Sequence, residues 1–99
     1  MRKETGISNS VRERVYERDS YDGAPCCIKC GSPYGIELHH VVSRGRGGRG
    51  IETNLVCLCQ KHHRAFHDGD TSIKQFCIAY LEGLYPGWRE EDQIYRRNL

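Results

Sequence analysis

Residues 59–67 read Cys-Gln-Lys-His-His-Arg-Ala-Phe-His, and this stretch holds two overlapping patterns of metal-binding side chains. Cys59 and His62 have two residues between them, a spacing with which a tight turn presents two ligands to one tetrahedral ion. His63 and His67 are four residues apart, so they share one face of a helix. Adjacent helical residues point about 100° apart, which lets His62 serve one metal and His63 another. The stretch therefore predicts a short helix that carries ligands for two metal ions.

An earlier part of the chain supplies the other half of a tetrahedral site. Cys27 and Cys30 repeat the spacing of two intervening residues, and three cysteines with one histidine are an established ligand set for structural zinc. Cys26 also has a permitted sequence spacing from Cys30, with three intervening residues. Cys57 is near enough in the sequence to replace Cys59 as a ligand, so both alternatives stay open here. The predicted ligands of this structural zinc are Cys27, Cys30, Cys59 and His62.

The cysteine content itself points to a metal rather than to disulfides. Six cysteines in 99 residues indicate one or the other. The segment from Met1 to Gly6 has no apolar run after its basic residues, so we expect no signal peptide and a cytoplasmic protein with reduced cysteines. Only 37% of the residues are hydrophobic, and a small chain with a thin core often recruits a metal. No apolar run approaches the ~20 residues that a membrane-spanning helix needs.

An N-terminal helix and two strands are predicted before residues 59–67. Ser10 and Glu13 match a capping box, so a helix is expected within residues 8–20. Residues 36–42 and 54–58 are rich in β-branched and apolar side chains, which favours strands.

A C-terminal amphipathic helix is predicted over residues 71–85. Thr71 or Ser72 is its expected cap, and its apolar side chains recur at helical spacing. Cys77 falls on this face and is expected to be a small core residue. The buried face should consist of Ile73, Phe76, Cys77, Tyr80, Leu81 and Leu84. Residues 88–99 are polar and charged, and we expect a disordered tail there.

The centre of the chain is locally basic. Residues 36–67 hold five lysines and arginines against two glutamates, together with all five histidines, a composition that suits a phosphate-rich ligand. Residues 43–50 contain four glycines, so we expect a flexible loop without regular structure. Arginines on such a loop favour phosphate contacts, which position a nucleic acid without reading its sequence. The candidate nucleic-acid contacts are Arg44, Arg46, Arg49 and Arg64.

These segments together resemble the HNH endonucleases. The resemblance rests on residues 37–42 (Glu-Leu-His-His-Val-Val), the glycine-rich loop, residues 54–56 (Asn-Leu-Val) and residues 58–67. The preceding cysteine pair is similar to that of the zinc-bearing HNH proteins of bacteria and their phages. The resemblance covers residues 27–67.

The resemblance implies a small α+β fold built on a ββα-metal motif, in which an antiparallel hairpin and a helix hold one divalent ion. Residues 1–99 would form a single nuclease domain, with residues 26–67 as its zinc-stapled core between the two flanking helices. His40 matches the family's general base, and Asn54 matches the asparagine that orients the site. His39, His63 and His67 match the ligands of the catalytic metal. His39 and His40 point to opposite faces of an ideal strand, so the strand must end or bulge there.

The implied activity is metal-dependent hydrolysis of DNA phosphodiester bonds, by a nicking or weakly specific enzyme. A nitrogen-rich site accepts Mn²⁺, Ni²⁺, Co²⁺ or Zn²⁺ readily and Mg²⁺ less comfortably. The implied partners are DNA and other phage or restriction components. The alternative is a non-catalytic, zinc-stabilised module that binds nucleic acid through its arginines. His40 discriminates between the two, because a binding module does not need an imidazole beside a metal ligand. A redox protein would show a thioredoxin-like βαβ pattern, which is absent.

Overall fold

The computed structural model describes residues 5–95, in which three α-helices surround two small antiparallel sheets. No helix in this range is long and apolar enough to span a bilayer. The order along the chain is α1 (Asn9–Arg18), β1 (Ser20–Tyr21), β2 (Ala24–Pro25), β3 (Glu37–His40), β4 (Leu55–Leu58), α2 (Gln60–His67) and α3 (Thr71–Leu84). The predicted class, a small α+β fold, is confirmed.

The β3–β4 hairpin and α2 form the central ββα unit. The strands are antiparallel, with His39 opposite Val56 and His40 opposite Leu55. All four residues of β4 are buried because helices cover both faces of the strand. Both strands are shorter than predicted. β3 ends at His40, as the two adjacent histidines require, and β4 begins at Leu55 because a 3₁₀-helix occupies Glu52–Asn54.

Alternate residues of β4 join two hydrophobic clusters, as the two-residue period of a strand dictates. Val56 and Leu58 pack with the buried face of α3, whose innermost residues are Ile73, Cys77 and Leu81. Leu55 and Cys57 pack instead with Val15 of α1. The hairpin is therefore held between α3 on one face and α1 on the other, and the predicted burial of Cys77 is confirmed.

Both predicted helix caps are wrong by one or two residues. Ser8, not Ser10, caps α1, and its hydroxyl accepts a hydrogen bond from the Val11 amide at 3.2 Å. Asp70, not Thr71 or Ser72, caps α3, where its carboxylate accepts from the two amides that follow Thr71. In each case a neighbouring side chain with equivalent capping chemistry takes the position. Leu84, expected on the buried face of α3, is 44% exposed.

The glycine-rich loop is ordered, and the expectation of a flexible, irregular segment is wrong. It contains a 3₁₀-helix at Arg44–Arg46, followed by two buried glycines. A Cβ atom on Gly48 would lie 1.7 Å from the carbonyl oxygen of Val42, and one on Gly50 would lie 2.1 Å from that of Gly6. Glycine is needed at both positions because another stretch of backbone passes so closely.

Residues 88–95 form what we call the C-terminal strap, and the expectation of a disordered tail is wrong for them. The strap contains a 3₁₀-helix at Glu90–Gln93 and pairs Ile94 with Gly48 of the loop. The Gln93 carbonyl accepts from the Arg49 amide at 2.8 Å, and the Trp88 indole donates to the Thr53 carbonyl at 2.6 Å. The rest of the predicted tail, residues 96–99, lies outside the described range, as do residues 1–4 of the segment in which no signal peptide is expected.

Candidate metal and catalytic sites

A cluster of three cysteines and one histidine lies where the chain before β3 meets the start of α2. The ligand atoms of Cys27, Cys30, Cys59 and His62 all lie within 4.8 Å of one another. Sγ of Cys27 is 3.5 Å and Sγ of Cys59 is 3.3 Å from Nδ1 of His62, and the Cys30 and Cys59 sulfurs are 3.8 Å apart. Thiolate and imidazole ligands in this number match a structural zinc site, so the cluster could hold such a metal.

Local backbone structure presents these four side chains. The Gly31 amide donates to the Cys27 carbonyl at 2.8 Å, which closes the turn between the first two cysteines. Cys59 is the N-cap residue of α2, and His62 follows within the first helical turn. Burial acts to raise the pKa of Cys27, but backbone hydrogen bonds to its sulfur outweigh this and lower that pKa, which favours the thiolate form that binds metals.

The two alternative cysteines lie elsewhere. The Cys26 thiol donates to the Ala24 carbonyl at 3.2 Å. Cys57 is fully buried on the α1 side of β4, and burial raises its pKa to about 12. The structure thus groups Cys27 and Cys59, rather than Cys26 and Cys57, with Cys30 and His62.

A second group of histidines lies between β3 and α2. His39 is buried, with its ring 4.7 Å from that of His63 and 4.1 Å from that of Phe66. Burial, followed by the charges of nearby histidines, lowers the pKa of His39 to about 3, so the ring is neutral at physiological pH. Its Nε2 atom is buried and has no hydrogen-bond partner among residues 5–95. A buried nitrogen without a partner is costly, and coordination of a metal would satisfy it.

His63 and His67 lie on a face of α2 that is rotated from the position of His62. They line an open cleft of about 290 Å³ together with Glu37, Gln60 and Arg64. Nδ1 of His63 lies 3.1 Å from Oε2 of Glu37. His62 therefore belongs to the cysteine cluster and His63 to the cleft, as the rotation between adjacent helical residues requires. The sequence reasoning missed Glu37, although its position two residues before His39 puts both on one face of β3.

His40 occupies the last position of β3 and is 9% exposed. Its Nε2 atom lies 2.9 Å from the carbonyl oxygen of Thr5. A carbonyl only accepts hydrogen bonds, so Nε2 carries the proton and the lone pair of the neutral ring is on Nδ1. Burial lowers the pKa of His40, the hydrogen bond to Thr5 opposes this, and the charge of Arg44 adds to it. The ring therefore stays neutral and able to accept a proton at physiological pH.

Asn54 is completely buried beside the end of β3. Its carbonyl accepts from the Val42 amide at 2.8 Å. Its amide group donates to the carbonyls of Val42 and Arg49, at 3.1 and 2.9 Å. The side chain thus fixes the backbone just after His40 to the end of the glycine-rich loop.

All four predicted nucleic-acid contacts have exposed side chains. Arg64 lines the histidine cleft. Arg46 is engaged with the C-terminal strap, where its guanidinium lies 3.2 Å from a carboxylate oxygen of Glu90. The loop arginines therefore differ in how freely they can meet a ligand.

A family model described as HNH endonuclease matches residues 27–69. A comparison with curated proteins gave no match. The matched segment contains the cysteine–histidine cluster, the β3–β4 hairpin and α2. Residues 27–69 are therefore similar to the HNH endonuclease family, and their ββα architecture and cysteine–histidine cluster agree with that similarity.

Proposed function

We propose that this protein is a metal-dependent DNA endonuclease that hydrolyses phosphodiester bonds, by nicking or with weak sequence specificity. The observation that carries the proposal is the buried Nε2 atom of His39, which has no hydrogen-bond partner within residues 5–95 although its ring lies beside that of His63. A structural histidine would be expected to have a hydrogen-bond partner there. Such an imidazole nitrogen, in a segment that matches the HNH endonuclease family, is best explained as a metal ligand.

His39, His63 and His67 would hold the catalytic ion, for which Mn²⁺, Ni²⁺, Co²⁺, Zn²⁺ and Mg²⁺ are the candidates. When bound, a divalent ion would neutralise charge on the scissile phosphate and on the departing oxygen. The pKa of His39 supports this role, because a neutral imidazole has a free lone pair at physiological pH. Cys27, Cys30, Cys59 and His62 would hold a separate zinc, whose binding energy contributes to folding.

His40 would act as the general base. Its Nδ1 atom takes a proton from the attacking water, while Nε2 keeps its hydrogen bond to the Thr5 carbonyl. That carbonyl also stabilises the imidazolium once it forms, because the bond then has a charged donor. Asn54 would orient this end of the strand through its hydrogen bonds to Val42.

Arg44, Arg49 and Arg64 would contact DNA phosphates, with Arg46 contributing once it leaves Glu90. We propose that the whole chain acts as one nuclease domain, since the C-terminal strap pairs with the glycine-rich loop. Contacts from arginines to phosphates position DNA but do not read its sequence, so we propose that cleavage has weak sequence specificity.

Plasmid cleavage tests the proposal. Zinc-loaded protein is incubated with supercoiled plasmid and each candidate divalent ion, and nicked and linear products are followed on gels. His40→Ala protein, purified in parallel, controls for contaminating nuclease. Cleavage by the wild type alone supports the proposal. Protein that binds DNA and stays inert with every ion would support the non-catalytic zinc module instead.

A further inference from the structure

The Glu37 carboxylate and the His63 imidazole form a contact in the histidine cleft that no predicted role explains. Oε2 of Glu37 lies 3.1 Å from Nδ1 of His63. The two residues come from different elements, Glu37 from the first position of β3 and His63 from the first turn of α2. Both line the cleft that also contains His67.

This contact determines which nitrogen of His63 is free. An ionised carboxylate has no hydrogen to donate, so Nδ1 of His63 must carry the proton. The lone pair of the neutral ring is then on Nε2. Which ring nitrogen of a histidine binds a metal is set by the hydrogen bond that the other nitrogen makes.

We propose that Glu37 is a positioning residue for the catalytic metal, because it holds His63 as the Nδ1–H tautomer and leaves Nε2 as the ligand atom. A carboxylate behind a ligating histidine fixes the orientation of the ring and raises its basicity. The proposal rests on the proposed function to the extent that His63 is a metal ligand. Glu37 is not part of the pattern of metal ligands in the sequence, so the proposal adds a residue to the site.

The register of β3 explains why Glu37 is available for this role. Residues 37 and 39 share one face of the strand, so the carboxylate and the His39 ring both approach α2. His39 contacts the His63 ring through its own ring, while Glu37 contacts the Nδ1 atom. One strand face thus supplies both a candidate ligand and the group that orients its neighbour.

An ordinary surface ion pair is the competing explanation, because the Glu37 side chain is 54% exposed. Such a pair would leave metal affinity unchanged when it is removed. A direct ligand is the other alternative, in which the Glu37 oxygen itself would bind the ion. The three explanations predict different behaviour for Glu37→Ala and Glu37→Gln, since glutamine keeps an oxygen that accepts the Nδ1–H bond but loses the charge.

The experiment measures the dissociation constant of Mn²⁺ by electron paramagnetic resonance, without DNA, on protein that retains its structural zinc. We expect Glu37→Ala to weaken Mn²⁺ binding about 10–100-fold and Glu37→Gln to weaken it clearly less. Glu82→Ala, which removes an exposed carboxylate of α3, is the matched control and should leave the constant unchanged. An unchanged constant in Glu37→Ala, or equal losses in both Glu37 variants, would overturn the proposal.

Nitrogen-15 spectra of the imidazole rings provide the second readout, taken before Mn²⁺ is added. His63 should be the Nδ1–H tautomer in the wild type and in Glu37→Gln, and should lose this preference in Glu37→Ala. A tautomer that is insensitive to both substitutions overturns the positioning role. A wild type with the expected tautomer that binds no Mn²⁺ would instead refute the catalytic metal site, so the two failures are distinguishable.

Discussion

Asn54 and Val42 exchange two hydrogen bonds, so that one side chain imitates the pairing of a neighbouring strand. The Val42 amide donates to the Asn54 side chain at 2.8 Å, and the Asn54 amide group donates back to the Val42 carbonyl at 3.1 Å. This exchange begins two residues after His40, where β3 has already ended. The asparagine thereby holds the backbone that follows the proposed general base.

Replacing Asn54 should therefore destabilise the fold as well as the site. Asn54→Ala leaves the buried polar groups of Val42 without partners, which we expect to cost about 1–3 kcal/mol in the free energy of unfolding. Urea denaturation measures the loss. Asn9→Ala, on the exposed first position of α1, is the control and should change little. Equal stability of the two variants would contradict this account of Asn54.

Removal of the structural metal should unfold the protein. We expect one tightly bound zinc per chain by elemental analysis, and loss of circular dichroism on chelation, because binding energy here is folding energy. Cys59→Ser should lose both the zinc and the folded structure, whereas Cys26→Ser should keep both, since the Cys26 thiol donates to the Ala24 carbonyl and the candidate metal cluster consists of Cys27, Cys30, Cys59 and His62. Protein purified without chelators that contains no zinc would refute the site.

His40→Ala should abolish cleavage while the protein stays folded, zinc-loaded and able to bind DNA. Loss of a general base typically costs 10²–10⁴-fold in rate. Initial rates of plasmid nicking, with the same metal for both proteins, measure the effect. A variant that cuts as fast as the wild type would exclude His40 as the base.

His63→Ala and His62→Ala should fail for different reasons, although the residues are adjacent. His63→Ala should weaken binding of the catalytic metal, so higher metal concentrations should restore part of the activity. His62→Ala should release the structural zinc and lower the thermal midpoint, since Nδ1 of His62 lies beside two cysteine sulfurs. Plasmid nicking over a metal titration and thermal unfolding separate the two outcomes.

DNA binding should depend on salt through the loop arginines. Neutralising Arg44, Arg46 and Arg49 together should flatten the log–log salt dependence by roughly 2–3 units, near 0.9 for each phosphate contact. Arg46→Ala alone should do less than Arg44→Ala, because Arg46 must first leave Glu90. Fluorescence anisotropy at several salt concentrations measures the slopes. An unchanged slope in the triple variant would mean that the loop faces away from DNA.

The sequence alone predicts the parts of the site that depend on short spacings. Cys59 and His62, or His63 and His67, meet because a helix repeats every 3.6 residues. The contact of Glu37 with His63 joins residues of different elements, so no local spacing indicates it. The sequence does not determine the cap of α1, because Ser8 and Ser10 have the same chemistry and the choice between them depends on where the chain enters the helix.

The glycine-rich loop and the C-terminal strap show the same limit of prediction from sequence. The four glycines of residues 43–50 predict backbone freedom, whereas the absence of a side chain at Gly48 leaves room for the Val42 carbonyl. The charged composition of residues 88–95 predicts disorder, because the sequence does not reveal that Gln93 and Trp88 dock on the loop and on Thr53. Tertiary contacts override local composition in both segments.

The glycine-rich loop is closed from both directions, by Gly6 against Gly50 and by the Tyr95 amide, which donates to the Gly47 carbonyl at 2.7 Å. These contacts bring residues near both ends of the described range to the same loop. During synthesis on the ribosome, the ββα unit can form early, but the loop beside His40 is completed only after residue 95 has emerged. A nascent chain would therefore hold its metal ligands before it can hold its loop, so the backbone that follows His40 would be the last part of the proposed site to form.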